Sequence, residues 1–264
     1  MAKQRIGVVG FGVVGKAVAE FWTNHGHEVA VFDVAMHGEP ERAAVNGCEF
    51  AFLCVPTPMG ADGTCQTTAI DEVTAWCEAE IMIIRSTVAV GTTEHLRANT
   101  GKRIVFQPEF LGETPWSHFE THTDAIVLGG EKSDTRPVVK LYQTILGPAA
   151  IYRQVPSSMA EMMKYTINCY LASKVAFFNE IYDIAEVADV DFDELRELVL
   201  LDDRISATHS MVTKERGFGG KCLPKDLSAL ICTARALGYD PVMLAAVFSS
   251  NEMVRRAAEE NCDE

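Results

Sequence analysis

One stretch near the amino terminus constrains the fold more than any other part of this 264-residue chain. Arg5–Val9 is a short apolar run typical of a buried strand, and the sequence GFGVVG at residues 10–15 follows it directly. Helix-forming residues continue over positions 16–24, and a second strand-like run, Glu28–Phe32, ends at Asp33. A G-x-G-x-x-G pattern alone is weak evidence, but strand, glycines, helix, strand and acid in this order predict a dinucleotide-binding unit.

Each part of this unit has a physical task in binding a dinucleotide. The glycines permit the turn, the approach of the pyrophosphate and close helix–strand packing, and the start of the helix offers N–H donors to phosphate. The acid accepts hydrogen bonds from ribose hydroxyls and repels a 2′-phosphate, and no basic residue stands next to it, which favours NAD over NADP. The alternative is an ordinary α/β turn that binds no phosphate. The predicted cofactor-binding residues here are Gly10, Gly12, Val13, Val14, Gly15 and Asp33.

The alternation of strands and helices continues beyond this unit. Further strands are predicted at residues 49–55, 81–85, 102–107, 125–128 and 149–152. Strands that alternate with helical patterns indicate a doubly wound parallel sheet of the Rossmann type, in which ligands lie beyond the carboxyl ends of the strands. Thr57, Thr87 and Glu113 all fall at such ends, so one site is expected to collect them, although each alone would be an ordinary loop residue.

After Pro156 the pattern becomes helical. Ser158 and Glu161 fit a capping box that would open a long helix reaching about residue 188. Lys164 and Asn168 are four residues apart and share a face with Glu161, which indicates either a solvated polar stripe or a ligand-facing one. Shorter helices are predicted over residues 191–201, 224–237 and 241–260. The chain therefore divides into a Rossmann domain at residues 1–155 and an all-helical domain at residues 156–264.

The sequence GFGGKCLPKD at residues 217–226 is where the chemistry is expected. Its glycines allow close approach or positive φ, Cys222 follows them, and Pro224 suits the first turn of a helix. A thiol at a helix start is favoured as the reactive thiolate, and Lys225 and Asp226 add a cation and a base. The alternative is a glycine turn with a buried filler cysteine.

Composition excludes several classes of function. The chain holds 23 Lys plus Arg against 37 Asp plus Glu, a formal charge of −14 that argues against nucleic-acid binding. No signal-peptide core or membrane-spanning run is present, and the eight cysteines form no C-x-x-C pair, so reduced thiols in a cytoplasm are expected. His118 and His122 have helical spacing but lack a glutamate between them and a third ligand, so no metal site is predicted.

These landmarks together resemble the nucleotide-sugar dehydrogenases of the UDP-glucose/GDP-mannose dehydrogenase family. The matching signatures stand in family order and cover essentially the whole chain. They are the glycine fingerprint, VPTP at residues 55–58, STV at 86–88, PEFLGE at 108–113, Lys164 with Asn168, Asn179 with Glu180, and residues 217–226.

The resemblance implies a two-step, NAD-dependent oxidation of a sugar C6 alcohol to a carboxylate. Cys222 would form a thiohemiacetal and then a thioester, which water hydrolyses. Lys164 and Asn168 would stabilise developing oxyanions. Asp226 would transfer protons or activate water, assisted by Thr87 and Glu113. Substrate-binding positions are Glu109, Phe110, Leu111, Lys164, Asn168, Arg204 and Gly219, and cofactor contacts extend to Thr57, Thr87, Glu113 and Lys225.

The resemblance also implies partners and a further domain. A homodimer built on the long helix is expected, since the apolar content of residues 162–178 exceeds what one core face requires. Family members continue into a domain that binds the substrate's nucleotide. This chain ends where that domain should begin, so it is expected to be a truncated piece, a natural minimal version or one component that a separate nucleotide-binding chain completes. If the chain ends naturally at Glu264, weak turnover on UDP-glucose alone is expected.

Two other functions fit parts of the same sequence. A β-hydroxyacid dehydrogenase shares the glycine fingerprint and the Lys164–Asn168 spacing and would act on a small substrate, but it needs no cysteine. An NAD-binding interaction protein without turnover is the third possibility, and the intact Cys222 and Asp226 weigh against it.

Overall fold

The computed structural model describes residues 3–111 and 125–262, with side chains through residue 260. The chain divides into two compact units. Unit 1 comprises Met1–Pro58 and Cys65–Lys164, and unit 2 comprises Met59–Thr64 and Tyr165–Glu264. The domain boundary expected after residue 155 remains a prediction.

Unit 1 is built on a single sheet of seven strands. The strands are β1 (Arg5–Val9), β2 (Glu28–Phe32), β3 (Phe50–Leu53), β4 (Ile81–Ile84), β5 (Ile104–Phe106), β6 (Ala125–Gly129) and β7 (Ile151–Val155). They lie in the order β2-β1-β3-β4-β5-β6-β7, and the first five pair in parallel. The sheet order reverses direction beside β1, so the carboxyl ends of β1 and β3 flank a crevice of the kind that binds ligands.

Helices cover both faces of this sheet. They are α1 (Val13–Asn24), α2 (Glu39–Asn46), α3 (Thr68–Trp76), α4 (Thr92–Thr100) and α5 (Lys132–Leu146). Successive strand side chains point to opposite faces, so β4 sends Ile81 and Ile83 into one core and Met82 and Ile84 into the other. All four side chains are buried, which explains why the strand is an uninterrupted apolar run. The predicted α/β fold class is confirmed.

The direction of the last two strands differs from the expectation of a fully parallel sheet. β6 runs antiparallel to β5, with Phe106 paired to Gly129, and β7 is parallel to β6 along its length. An apolar run indicates a buried strand but carries no information about the direction of its neighbour, because that depends on the path of the connecting segment.

Unit 2 is helical. The long helix α6 (Ser157–Val187) begins in unit 1 and continues into unit 2, where α7 (Phe192–Val199), α8 (Leu223–Ala236) and α9 (Val242–Cys262) follow. Cys169, Ala172 and Ala176 of α6 pack with Leu227 and Ile231 of α8 in one core cluster. No helix in the described part of the chain is long and apolar enough to cross a membrane.

The capping box predicted at the start of α6 is wrong. The helix already begins at Ser157, and the N–H groups of Met159 and Ala160 donate to the carbonyl of Pro156. The Glu161 carboxylate accepts instead from the N–H groups of Gly91 at 2.6 Å and Thr93 at 2.9 Å and from the Thr93 hydroxyl. Glu161 therefore satisfies the amino terminus of α4, a partner that local sequence spacing cannot reveal.

Candidate active site

The glycines at residues 10–15, here called the cofactor loop, leave space where a dinucleotide would lie. A Cβ at Gly15 would overlap the carbonyl oxygen of Gly10, so this position requires glycine for close packing. A Cβ at Gly12 would meet no atom of the described residues within 4 Å. Gly12 is also the N-cap of α1, and glycine has no side chain with which to cap that helix. The first N–H groups of α1 therefore suit an external acceptor such as a pyrophosphate.

Asp33 follows β2 at the edge of the same loop. One carboxylate oxygen accepts from the N–H of Phe11 at 2.7 Å, and the other accepts from the N–H of Ala35 at 2.9 Å. These two hydrogen bonds, the one from Phe11 first, hold the pKa of Asp33 below its ordinary value. The carboxylate is therefore ionised and fixed in orientation, as an acceptor for ribose hydroxyls must be.

A cavity of about 550 Å³ opens beside Asp33. Its walls include Gly10, Pro56 and Trp76, and they also include Arg42 of α2. The sequence placed no basic residue next to Asp33, and reasoning from it missed Arg42, which lies nine positions further along the chain. The size and lining of the cavity fit the adenosine end of a dinucleotide.

The ends of β3 and β4 bring two predicted residues together. The Thr57 hydroxyl donates to the carbonyl of Thr87 at 2.7 Å, and Ser86 donates to the carbonyl of Val55 at 2.6 Å. Glu113, also expected at the carboxyl end of a strand, lies outside the described residues, as do His118 and His122.

Lys164 and Glu109 form a buried ion pair in unit 1. The Lys164 ammonium lies 3.0 Å from the Glu109 carboxylate and donates to the Glu109 carbonyl at 2.6 Å. The other carboxylate oxygen accepts from the N–H of Leu111 at 2.8 Å, and the ammonium lies 5.4 Å from the centroid of the Phe110 ring. The structure thus gathers four residues that the sequence assigned to one site.

In unit 2, α6 and α8 bring three other predicted residues together. The Asn168 amide donates to the Asp226 carboxylate at 2.5 Å, and the Lys225 ammonium lies 2.5 Å from the other oxygen. Asp226 is only 1 % exposed, so both of its oxygens are held in a dry environment. Glu161, Lys164 and Asn168 are all buried, which excludes the solvated stripe considered for α6.

Cys222 is the N-cap of α8, and Pro224 stands in the first turn, as the sequence predicts. The N–H of Asp226 donates to the Cys222 carbonyl at 2.9 Å, which closes that turn. A half-buried thiol at a helix amino terminus has the position that stabilises a thiolate. By contrast, burial, and then the Asp226 charge, raises the pKa of the nearby Cys169 to about 12. Cys169 is therefore an inert, protonated thiol.

Two asparagines that sequence reasoning did not place in the site hold residues 217–222, here called the thiol loop. Asn251 of α9 accepts from the N–H of Phe218 at 2.6 Å and donates to its carbonyl at 2.9 Å. Asn179 of α6 accepts from the N–H of Gly217 at 2.9 Å. Gly217 has φ of 58°, and a Cβ there would overlap the Asn251 side-chain oxygen. Among the family signatures in the sequence, the pair Asn179 and Glu180 includes one of these two asparagines, and no signature includes Asn251.

Two predicted substrate contacts have other neighbours in unit 2. The Arg204 side chain is 88 % exposed and is paired with Asp202 two residues earlier. A Cβ at Gly219 would lie 2.9 Å from a guanidinium nitrogen of Arg255. The roles assigned to Arg204 and Gly219 remain predictions.

A mostly parallel sheet with a glycine fingerprint and an ionised acid at its crevice defines a dinucleotide-binding protein. Residues 39–146 match the NAD-binding domain, and residues 158–253 the central domain, of the UDP-glucose/GDP-mannose dehydrogenase family. The chain belongs to that family. The predicted class of enzyme, an oxidoreductase that uses NAD, is thereby confirmed.

Individual relatives agree with this assignment. The chain is 28 % identical to the GDP-mannose 6-dehydrogenase of Azotobacter vinelandii over 94 % of its own length and 68 % of the relative. It is similar to the solved UDP-glucose dehydrogenase of Pyrobaculum islandicum, with TM-score 0.83, 26 % identity and coverage of 96 % and 68 %. The 3-hydroxyisobutyrate dehydrogenase of Mycobacterium tuberculosis shares the fold alone, with TM-score 0.67, 16 % identity and coverage of 94 % and 92 %.

Proposed function

We propose that this protein oxidises the C6 alcohol of a nucleotide sugar to the carboxylate in two NAD-dependent steps. The observation that carries the proposal is the pairing of Asn168 with the buried Asp226 in the unit that places Cys222 at the start of α8. An amide, a carboxylate and a thiol are the groups needed to stabilise an oxyanion, move a proton and form a covalent bond to an aldehyde.

The covalent role belongs to Cys222. In the first oxidation the substrate alcohol loses a proton and a hydride and becomes an aldehyde. The Cys222 thiolate then adds to the aldehyde carbon, and the oxygen takes up a proton to give a thiohemiacetal. Loss of a second hydride and a proton leaves a thioester, and water cleaves its carbon–sulfur bond to release the carboxylate and the thiol. NAD, held by the cofactor loop and Asp33, would supply the hydride acceptor for each oxidation.

The other residues act on protons and charge. Asn168 donates to an oxygen that becomes negative, and Lys164 supplies a cation for the same purpose one helical turn earlier. Asp226, held by Asn168 and Lys225, accepts the proton of the alcohol and of the attacking water. Thr87 and Glu113 assist through water, and Glu109, Phe110, Leu111, Arg204 and Gly219 bind the substrate. Thr57 and Lys225 contact the cofactor.

A panel of nucleotide sugars tests this function. We expect two NADH for each substrate consumed, together with a transient acyl adduct on the tryptic peptide that contains Cys222. Cys222→Ala should lower carboxylate formation by about a thousandfold or more while the Kd for NAD stays unchanged, since unit 1 holds the dinucleotide.

The matched control is Cys232→Ala, which removes a partly exposed thiol from the same helix and should leave turnover intact. One NADH per substrate, with near-parent turnover in the Cys222→Ala variant, would overturn the covalent mechanism. That result would instead support the β-hydroxyacid dehydrogenase reaction.

We further propose that the protein is a homodimer built on α6. This helix exposes Met163, Tyr170, Phe177 and Ile184, which recur every seven residues and form one apolar stripe. An unpartnered stripe of this kind is typical of a subunit interface. Sedimentation should give a dimer that Phe177→Glu dissociates, whereas Glu186→Gln, on the opposite face of the same helix, should not. A concentration-independent monomer would contradict the proposal.

A further inference from the structure

Arg42 has an environment that points to a ligand. Its guanidinium carbon lies 4.4 Å from the centroid of the Trp76 ring, so the aromatic face holds it in place. Trp76 is itself fixed by an edge contact with Phe32, the residue before Asp33, at 5.3 Å. The Arg42 guanidinium is therefore held against the ring of Trp76, which packs on Phe32 next to Asp33.

The hydrogen-bonding capacity of Arg42 is incompletely used. One terminal nitrogen pairs with Glu39 at 3.0 Å, but the Glu39 side chain is 82 % exposed, which makes that pair weak. The Nε atom is buried, and among the described residues it has no partner. The guanidinium is therefore held by the Trp76 face and by one weak ion pair, so its charge is not neutralised by a buried acid among the described residues.

The cavity beside Arg42 is the one that Asp33 borders. We propose that Arg42 supplies a cationic wall to the adenosine pocket that could also bind a 2′-phosphate, and that Asp33 is the residue that keeps this phosphate out. This inference rests on the binding of NAD by unit 1 and is independent of the chemistry of Cys222. The chain thus carries both an acid that selects NAD and a cation suited to NADP.

A double-mutant cycle read by calorimetric titration tests the proposal without turnover. NAD and NADP are titrated into the full chain, Asp33→Asn, Arg42→Met and the double variant. Methionine keeps an unbranched apolar stem against Trp76 but removes the charge and the donors. Asp33→Asn should raise the affinity for NADP at least about tenfold where Arg42 is present, and the gain should disappear in the double variant.

Two controls keep the result interpretable. Arg136→Met removes an exposed arginine of α5 in the same unit, and it should leave the NADP gain of Asp33→Asn unchanged. Arg42→Lys restores the charge without the planar fork and should recover part of the gain. An equal gain with and without Arg42, or no gain in either background, overturns the proposal. If the parent chain does not bind NAD, the cofactor assignment is overturned as well.

Discussion

The glycines of the two glycine-rich loops of this molecule serve two different purposes. In the cofactor loop, side chains at Gly10 and Gly15 would collide with the protein's own backbone, whereas a side chain at the central Gly12 would meet no atom of the described residues within 4 Å. In the thiol loop, Gly217 and Gly219 face the protein's own Asn251 and Arg255, and side chains there would collide with them. Gly12 thus leaves room for a ligand, whereas Gly217 and Gly219 make room for the side chains that hold the thiol loop.

The comparison shows why a glycine count does not identify a binding loop. Both segments have glycines at short spacing, and both precede a helix. What separates them is the source of their hydrogen-bond partners. Asn179 of α6 and Asn251 of α9 satisfy the backbone of the thiol loop at Gly217 and Phe218, whereas Asp33, which follows β2, satisfies Phe11 of the cofactor loop.

The largest expected effect comes from Gly217→Ala. The substitution forces a Cβ into the Asn251 side chain and places alanine at φ of 58°, so we expect a loss of about 3 kcal/mol in the free energy of unfolding. Urea unfolding measures the loss. The Kd for NAD should not change in the folded variant.

Gly219→Ala is the graded comparator for that experiment. Its Cβ would press on the far end of the Arg255 side chain, which can move, and Gly219 is not in the positive-φ region. A much smaller loss of stability is therefore expected. If the two variants lose equal stability, the close approach of Asn251 is not what requires glycine at position 217.

A smaller effect, on cofactor binding rather than on stability, is expected from Gly12→Ala. Gly12 has φ of −74° and an open environment, so alanine should change the free energy of unfolding by less than about 0.5 kcal/mol. The new methyl group occupies the space for the pyrophosphate, so the Kd for NAD should rise about tenfold, which corresponds to 1.4 kcal/mol. Calorimetric titration measures the change. Unchanged NAD affinity would show that the open space of the cofactor loop serves no phosphate.

Much of the fold was predictable because its signals are local. The strands Arg5–Val9 and Glu28–Phe32 were predicted to the residue, since each is an apolar run bounded by polar or glycine residues. Pro224 predicted the start of α8, because proline suits the first turn of a helix. The direction of β6 was not predictable, because it depends on how the chain returns to the sheet rather than on the composition of the strand.

The contents of the site were predictable only in part. Cys222 and Asp226 stand within one short motif, and the resemblance to a family indicated Lys164 and Asn168. Asn251 and Arg42 escaped prediction because they reach their partners from other helices, across 33 residues in the case of Phe218 and Asn251. Sequence spacing describes neighbours along one element, but tertiary packing decides which elements meet.

The buried Glu161 gives unit 1 an unusual response to acid. Burial raises the pKa of this carboxyl although three hydrogen bonds act against the rise, so the folded chain holds its proton more tightly than the unfolded chain does. Its stabilising contribution is complete below the ordinary carboxyl pKa and is lost as pH rises through the raised value.

Asp33 responds in the opposite direction. Its contribution is present above its ordinary pKa and is lost as pH falls through the lowered value, because the Phe11 and Ala35 hydrogen bonds favour the ionised form. As the solution becomes mildly acidic, protonation of Glu161 adds stability before protonation of Asp33 removes it. Glu161 and Asp33 therefore act in opposite directions in separate pH ranges, and together they favour a maximum of stability between their two ordinary pKa values.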